Sequence, residues 1–248
     1  MRVSNKLGFT IIETMLFLAV SGALLAAILI GTGSSINVQR YRDSVSSLQA
    51  FLQAQYADVS NVSNDRAISD LPCGSVIAIS IGQSDCVILG KYISTTDSKN
   101  LLVQSVVGNI PTGSTATLDD INVFLKAGDG TNKGFNAQIS PMATNSYNLE
   151  WGTAISDIAA NKSKPLQFSM LILRSPISGI LRTFVSPTTI SAANIQRDLI
   201  SKSALTQKVE MCVNPNGLVN GAVMAVIVDA NTTSASGIET LGDNNSGC

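Results

Sequence analysis

The chain has 248 residues, of which 45% are hydrophobic and only 13% charged, with a net charge of −1 and no histidine. Without histidine, a serine or cysteine nucleophile lacks its usual base, and a zinc site would have to be built from the four cysteines. The acidic balance also argues against a protein whose whole surface is made to hold nucleic acid.

A short basic leader, carrying Arg2 and Lys6, ends in Leu7-Gly8. Beyond it the only ionisable side chain before Arg40 is Glu13. As a helix, Phe9 to Ile30 covers about 33 Å, enough to cross the hydrocarbon core of a bilayer. A secretory signal peptide has a shorter apolar core, a small-x-small cleavage site and no carboxylate within the core, so the sequence predicts a membrane helix instead. An acid at the centre of such a helix costs roughly 2.5 to 3.5 kcal/mol and usually has a partner. If the chain is cut after Gly8, Glu13 lies about 6 Å along the helix from a new amine. The positive end of the helix dipole favours a carboxylate there as well.

Lys6-Leu7-Gly8 followed by Phe9-Thr10-Ile11-Ile12-Glu13 resembles the class III leader of the type IV pilins and pseudopilins. The resemblance implies that a prepilin peptidase cuts after Gly8 and methylates the amine of Phe9. It also implies that Glu13 meets the N-terminal amine of a neighbouring subunit as a filament assembles. The partners it brings are the peptidase, other pilin or pseudopilin subunits, an inner-membrane assembly platform and membrane lipid; no cofactor is implied. One departure is that many major pilins have a proline in the later part of this segment, whereas the first proline here is Pro72. Gly22 is then the weak point, and a helical glycine costs only about 1 kcal/mol relative to alanine, so the helix is expected to be continuous.

Beyond Ser35 the apolar or aromatic residues Val38, Tyr41, Val45, Leu48, Leu52 and Val59 recur at helical spacing, with Gln55 as the missing step. They predict one buried face of an amphipathic helix, with Arg40, Asp43, Ser47, Gln53 and Asp58 opposite. Asn61, Ser63, Asn64 and Asp65 then supply residues that favour caps and turns. The expected division is a leader at 1–8, a transmembrane and assembly helix at 9–33, an amphipathic continuation at 34–66 and a β-rich globular part at 67–248.

Downstream, β-branched runs predict strands at 76–81, 86–93, 101–107, 121–126, 147–151, 166–173, 180–185, 209–213 and 222–228, separated by turn clusters such as Asn214-Pro215-Asn216-Gly217. One helix is expected at 192–201, capped by Ser191, with Ile195, Leu199 and Ile200 on its buried face. The predicted class is α+β, a long N-terminal helix packed on an antiparallel sheet domain. That layout, with its late strand pair, is most similar to the H-type (FimT-like) minor pseudopilins, and implies the pilin fold.

None of the cysteine spacings is the close pair of a zinc site, so disulfides are expected. Four cysteines allow three pairings, and sequence nearness favours Cys73 with Cys86 and Cys212 with Cys248. A tight hairpin between 76–81 and 86–93 would hold Cys73 far from Cys86, so that hairpin and that bridge exclude each other. For catalysis the sequence offers little. Asp119-Asp120 reads as a solvated turn, and Asp129 in a Gly-Asp-Gly turn lacks the further acids of a calcium loop. The chain is expected to be a non-enzyme without a metal. Basic residues cluster at Lys162, Lys164, Arg174, Arg182, Arg197, Lys202 and Lys208 against the single acid Asp198. A basic face of this kind beside Phe168 and Phe184 would suit a polyanion such as DNA, and the competing reading is that these cations pair with acids elsewhere in the chain. Two functions follow: a structural minor pilin or pseudopilin, or a pilus-borne binding subunit, an adhesin or DNA receptor. In both, a single-pass inner-membrane anchor holds the globular part outside the cytoplasm, before incorporation into a pilus or pseudopilus. The sequence leaves the machine open among secretion, adhesion, motility and DNA uptake.

Overall fold

A computed structural model describes residues 10–61, 86–95, 97–109, 137–157, 166–176, 178–200, 206–219, 223–242 and 247–248. Helix α1 runs without a break over Ile11–Ser60, 50 residues, and ends at Asn61, whose N–H donates to the carbonyl of Ala57 at 2.9 Å. At about 1.5 Å per residue it is about 75 Å long. Its C-terminal half carries the amphipathic stripe: Tyr41, Val45, Leu48, Leu52, Tyr56 and Val59 are buried, as are Ser44 and Gln55. Gln55, the gap in the apolar spacing, turns its amide back to donate to the Phe51 carbonyl at 3.0 Å, so its polarity is satisfied inside the helix.

Nine strands follow: β1 Cys86–Thr95, β2 Asn100–Asn109, β3 Gln138–Asn148, β4 Ala154–Asp157, β5 Ser169–Arg174, β6 Leu181–Ser186, β7 Lys208–Asn214, β8 Met224–Asp229 and β9 Ile238–Leu241. They form two antiparallel sheets rather than one, in the orders β3-β2-β1-β5-β6 and β4-β7-β8-β9. The architecture is the expected α+β one. The helix lies across both sheets, and one core joins Leu48 and Leu52 to Ile93, Met170 and Ile172 of the larger sheet and to Met211 and Val226 of the smaller.

Polar side chains fix the helix in place. The Tyr41 hydroxyl donates to the carbonyl of Val213 at 2.8 Å and accepts the N–H of Met224 at 2.6 Å, tying the end of the β7–β8 pair to the helix. Tyr56 bonds Thr183 and Thr232 at 2.9 and 3.0 Å, and burial raises the pKa of its hydroxyl. Gln53, expected on the solvent face, is half-buried and donates to the carbonyl of Ile238 at 3.1 Å. Such bonds contribute about 1 kcal/mol each, and they set direction more than stability.

The far face of the larger sheet is covered by residues 190–200. Ile195, Leu199 and Ile200 are buried there against Leu89, Leu171, Leu173 and Phe184. The expected α-helix is instead a 3-10 turn at Ala192–Asn194 followed by a π turn at Ile195–Leu199. The wide turn has a reason: the N–H of Ile200 reaches the carbonyl of Ile195 at 3.0 Å, a spacing of five, which brings both ends of the apolar set onto the sheet. Ser191 precedes the segment but makes no side-chain cap.

Cys212 and Cys248 are bonded, with Cα atoms 5.7 Å apart and a sequence separation of 36. The bridge holds the C-terminus on β7, where the N–H of Gly247 also reaches Glu210 at 3.0 Å. Closing a loop of this length stabilises a fold by about 2 to 4 kcal/mol. Cys73, and with it the pairing to Cys86, the strands expected at 76–81 and 121–126, Asp119, Asp120 and Asp129 lie outside the described residues.

Gly90 sits at a register shift in β1, and a Cβ built on it would lie 1.8 Å from the backbone oxygen of Ile172 in β5. Backbone cannot yield as a flexible side chain does. Gly90→Ala is therefore expected to cost about 3 kcal/mol or more, read as a lower urea midpoint. A loss below about 1 kcal/mol would mean that β1 and β5 separate easily.

Candidate functional site at the N-terminal helix

Among the described residues, the first half of α1 packs against no other element. Ile11, Ile12, Met15, Leu16, Phe17 and Leu18 are all exposed, and the apolar exposure continues to Ile30. An 18-residue window here has a mean hydropathy of 2.3 with 0% of it buried in protein. The chain thus has an N-terminal helix long and apolar enough to cross a membrane. Its hydroxyls are suited to that: Thr14 donates to the Ile11 carbonyl at 2.9 Å, Ser21 to Leu18 at 3.2 Å and Thr32 to Ile28 at 2.9 Å. Each of these three hydroxyls is satisfied inside the helix, the condition a lipid environment imposes.

Glu13 is placed by the helix start. Thr10 is the N-cap; its hydroxyl accepts the N–H of Glu13 at 3.3 Å, while the N–H of Thr10 donates to the Glu13 carboxylate at 3.4 Å. This is a capping box, and it holds the carboxylate at the positive end of the helix dipole. Thr10 was missed as a functional residue, although Thr10-Ile11-Ile12-Glu13 carries the T-x-x-E signature that would have found it. Gly8 and Phe9 lie outside the described residues.

A second polar constellation sits where the helix meets the globular part. Arg40 lies over the Trp151 ring at 5.0 Å from its centroid. Ser44 bonds the Thr153 hydroxyl at 2.6 Å, and Ser47 donates to the Glu150 carboxylate at 3.2 Å. Tyr147 stacks on Phe51 with centroids 4.2 Å apart and donates to Ser47 at 3.1 Å. Burial, with the charge of Glu150 adding to it, raises the Tyr147 pKa against the opposing hydrogen bond to Ser47, so the hydroxyl stays a donor.

No family model, curated protein or solved structure matches the chain.

Among the described residues of the basic cluster, Arg174 and Arg182 do not share a face. Arg174 pairs with Leu181 and Arg182 with Leu173, adjacent positions of the β5–β6 pair that point to opposite faces of the sheet. Phe168 and Phe184 are fully buried and have no ring to offer a base. Arg197 is bound to its neighbour Asp198 at 2.7 Å, which lowers the Asp198 pKa chiefly through that hydrogen bond. Lys162, Lys164 and Lys202 lie outside the described residues. Among the described residues no three His, Cys, Asp or Glu side chains come together as metal ligands.

Proposed function

We propose that this chain is a minor pilin or pseudopilin, a structural subunit that prepilin peptidase cleaves after Gly8 and methylates at Phe9 before assembly into a type IV pilus or type II secretion pseudopilus. The observation that carries the reading is the continuity of one helix. A leader ending in glycine and a capped glutamate open it, an exposed apolar half follows, and a second half packs into an α+β globular part. In this reading the apolar half holds the precursor in the inner membrane with the globular part outside the cytoplasm, and then packs among the helices of neighbouring subunits. Glu13 supplies the charge that selects a partner's amine. The globular part is the surface the filament presents, and the protein's work is assembly rather than catalysis. Removing the leader takes away Arg2 and Lys6, so the net charge falls from −1 to −3.

The test is the mature terminus. Expressed with a prepilin peptidase, the chain is expected to begin at N-methylated Phe9 by intact-mass and peptide analysis. Recovery of a chain that still begins at Met1, alongside a control prepilin that is processed, would sink the reading.

A further inference from the structure

Trp151 is the single tryptophan of the chain, and the fold holds it in an unfavourable way. Its backbone is left-handed, φ 56 and ψ 21, a region that bulky side chains avoid at a cost of about 1 to 3 kcal/mol. The strain secures no burial, since the side chain is 51% exposed while Tyr41, Tyr56, Tyr92, Phe168 and Phe184 are buried. The turn is nonetheless fastened to α1 by the Ser44 and Ser47 hydrogen bonds, and Arg40 covers one face of the ring. One helical turn toward the N-terminus on the same face lies Ile36, 46% exposed.

The length of the helix says what this patch meets. No charged side chain lies between Glu13 and Arg40, and the rise between them is about 40 Å at 1.5 Å per residue. That equals the thickness of a bilayer with its headgroups, about 40 to 45 Å. With Glu13 in one headgroup layer, Arg40 falls in the other. Helical side chains lean toward the N-terminus, so the Arg40 stem leans back toward the lipid. An indole beside it has its apolar body and its N–H in the one zone that suits both.

We propose that Arg40 and Trp151 form a phospholipid contact, with the guanidinium on a lipid phosphate and the indole at the glycerol level, which fixes how the globular part stands on the membrane before assembly. Arg40 and Arg42 are offset by Asp43 and Glu150 along this part of helix and turn, so the surface recognised is a zwitterionic phospholipid rather than a strongly anionic one. The proposal rests on the reading of α1 as a membrane anchor.

Because Trp151 is the only tryptophan, the emission of the full chain in phosphatidylcholine vesicles reports this contact alone. Bromine placed high on the acyl chains is expected to quench it more than bromine placed near their ends. Arg40→Glu is expected to relieve the quenching while the protein still resists an alkaline wash. Protein that resists the wash yet emits equally with and without bromine would overturn the contact. So would emission that follows protein density instead of bromine, because a second copy would then cover the ring. Release by the alkaline wash would overturn the anchor reading itself, and this one with it.

Discussion

Gly8→Val is expected to leave the precursor uncut. In the proposed role a peptidase must close on the bond after Gly8, and a β-branched side chain there would stand where the catalytic groups approach. The variant should enter the membrane as well as the wild type does, since the substitution lies outside the apolar segment, and intact mass should show the full chain beginning at Met1. The consequence extends to assembly. Uncut protein has no free amine at Phe9, so a neighbouring Glu13 has no partner on it, and the variant should be absent from filaments while abundant in the membrane. A methylated Phe9 terminus on Gly8→Val would show that the cleavage site is assigned wrongly.

How much of this was legible in the sequence depended on whether a signal was local. The α1 stripe from Tyr41 to Val59 was readable because one helix face buries a run of side chains at fixed spacing, and Val38 alone of that set is only half-buried. The strands with continuous β-branched runs, β1, β2, β5, β6, β7 and β8, fell within a few residues of where the pattern put them. β3 did not. Its sequence, with Pro141 and two asparagines, lacks an apolar run, and it is tolerated because β3 is the edge of its sheet, where a missing donor breaks no second ladder. The strand expected at 147–151 therefore ends at Asn148, and Glu150–Gly152 is a 3-10 turn latched to the helix. β4 and β9 have four residues each, too short for a period of two to show. Their place comes from pairing: β4 adds to β7 and β9 to β8, which is also why two sheets exist where a single one was expected. For the site, the charge pattern marked Glu13, while its cap Thr10 went unread although the T-x-x-E pattern carries it. The Arg40–Trp151 contact was invisible, since residues far apart in sequence are joined only when the β3–β4 turn folds onto the helix.

Glu13→Leu is expected to insert, to be cut after Gly8, and to be lost from filaments. In the membrane the carboxylate sits at headgroup level, whereas among the packed apolar helices of a filament it is costly alone and tolerable when an amine of an adjacent subunit pairs with it, so only a subunit that makes the pair is accepted. Leucine removes both the cost and the selectivity. The capping box complicates the reading, because Glu13 also accepts the N–H of Thr10. That second role is small: the Thr10 hydroxyl still caps the N–H of residue 13 in the variant, and a weakened cap costs about 1 kcal/mol or less. Glu13→Gln separates the two, since glutamine serves a capping box as glutamate does but carries no charge. If pairing drives assembly, glutamine should fail as leucine does, while Glu13→Asp, one methylene short, should keep part of the activity. The measurement is the amount of each variant in sheared pili or cross-linked pseudopili, divided by its amount in the membrane. Full incorporation of Glu13→Gln with loss of Glu13→Leu would make the helix cap the operative feature. Full incorporation of both would mean that apolar packing of α1 alone recruits the subunit, as expected of a component at the filament tip, with no subunit ahead of it to complete the pair.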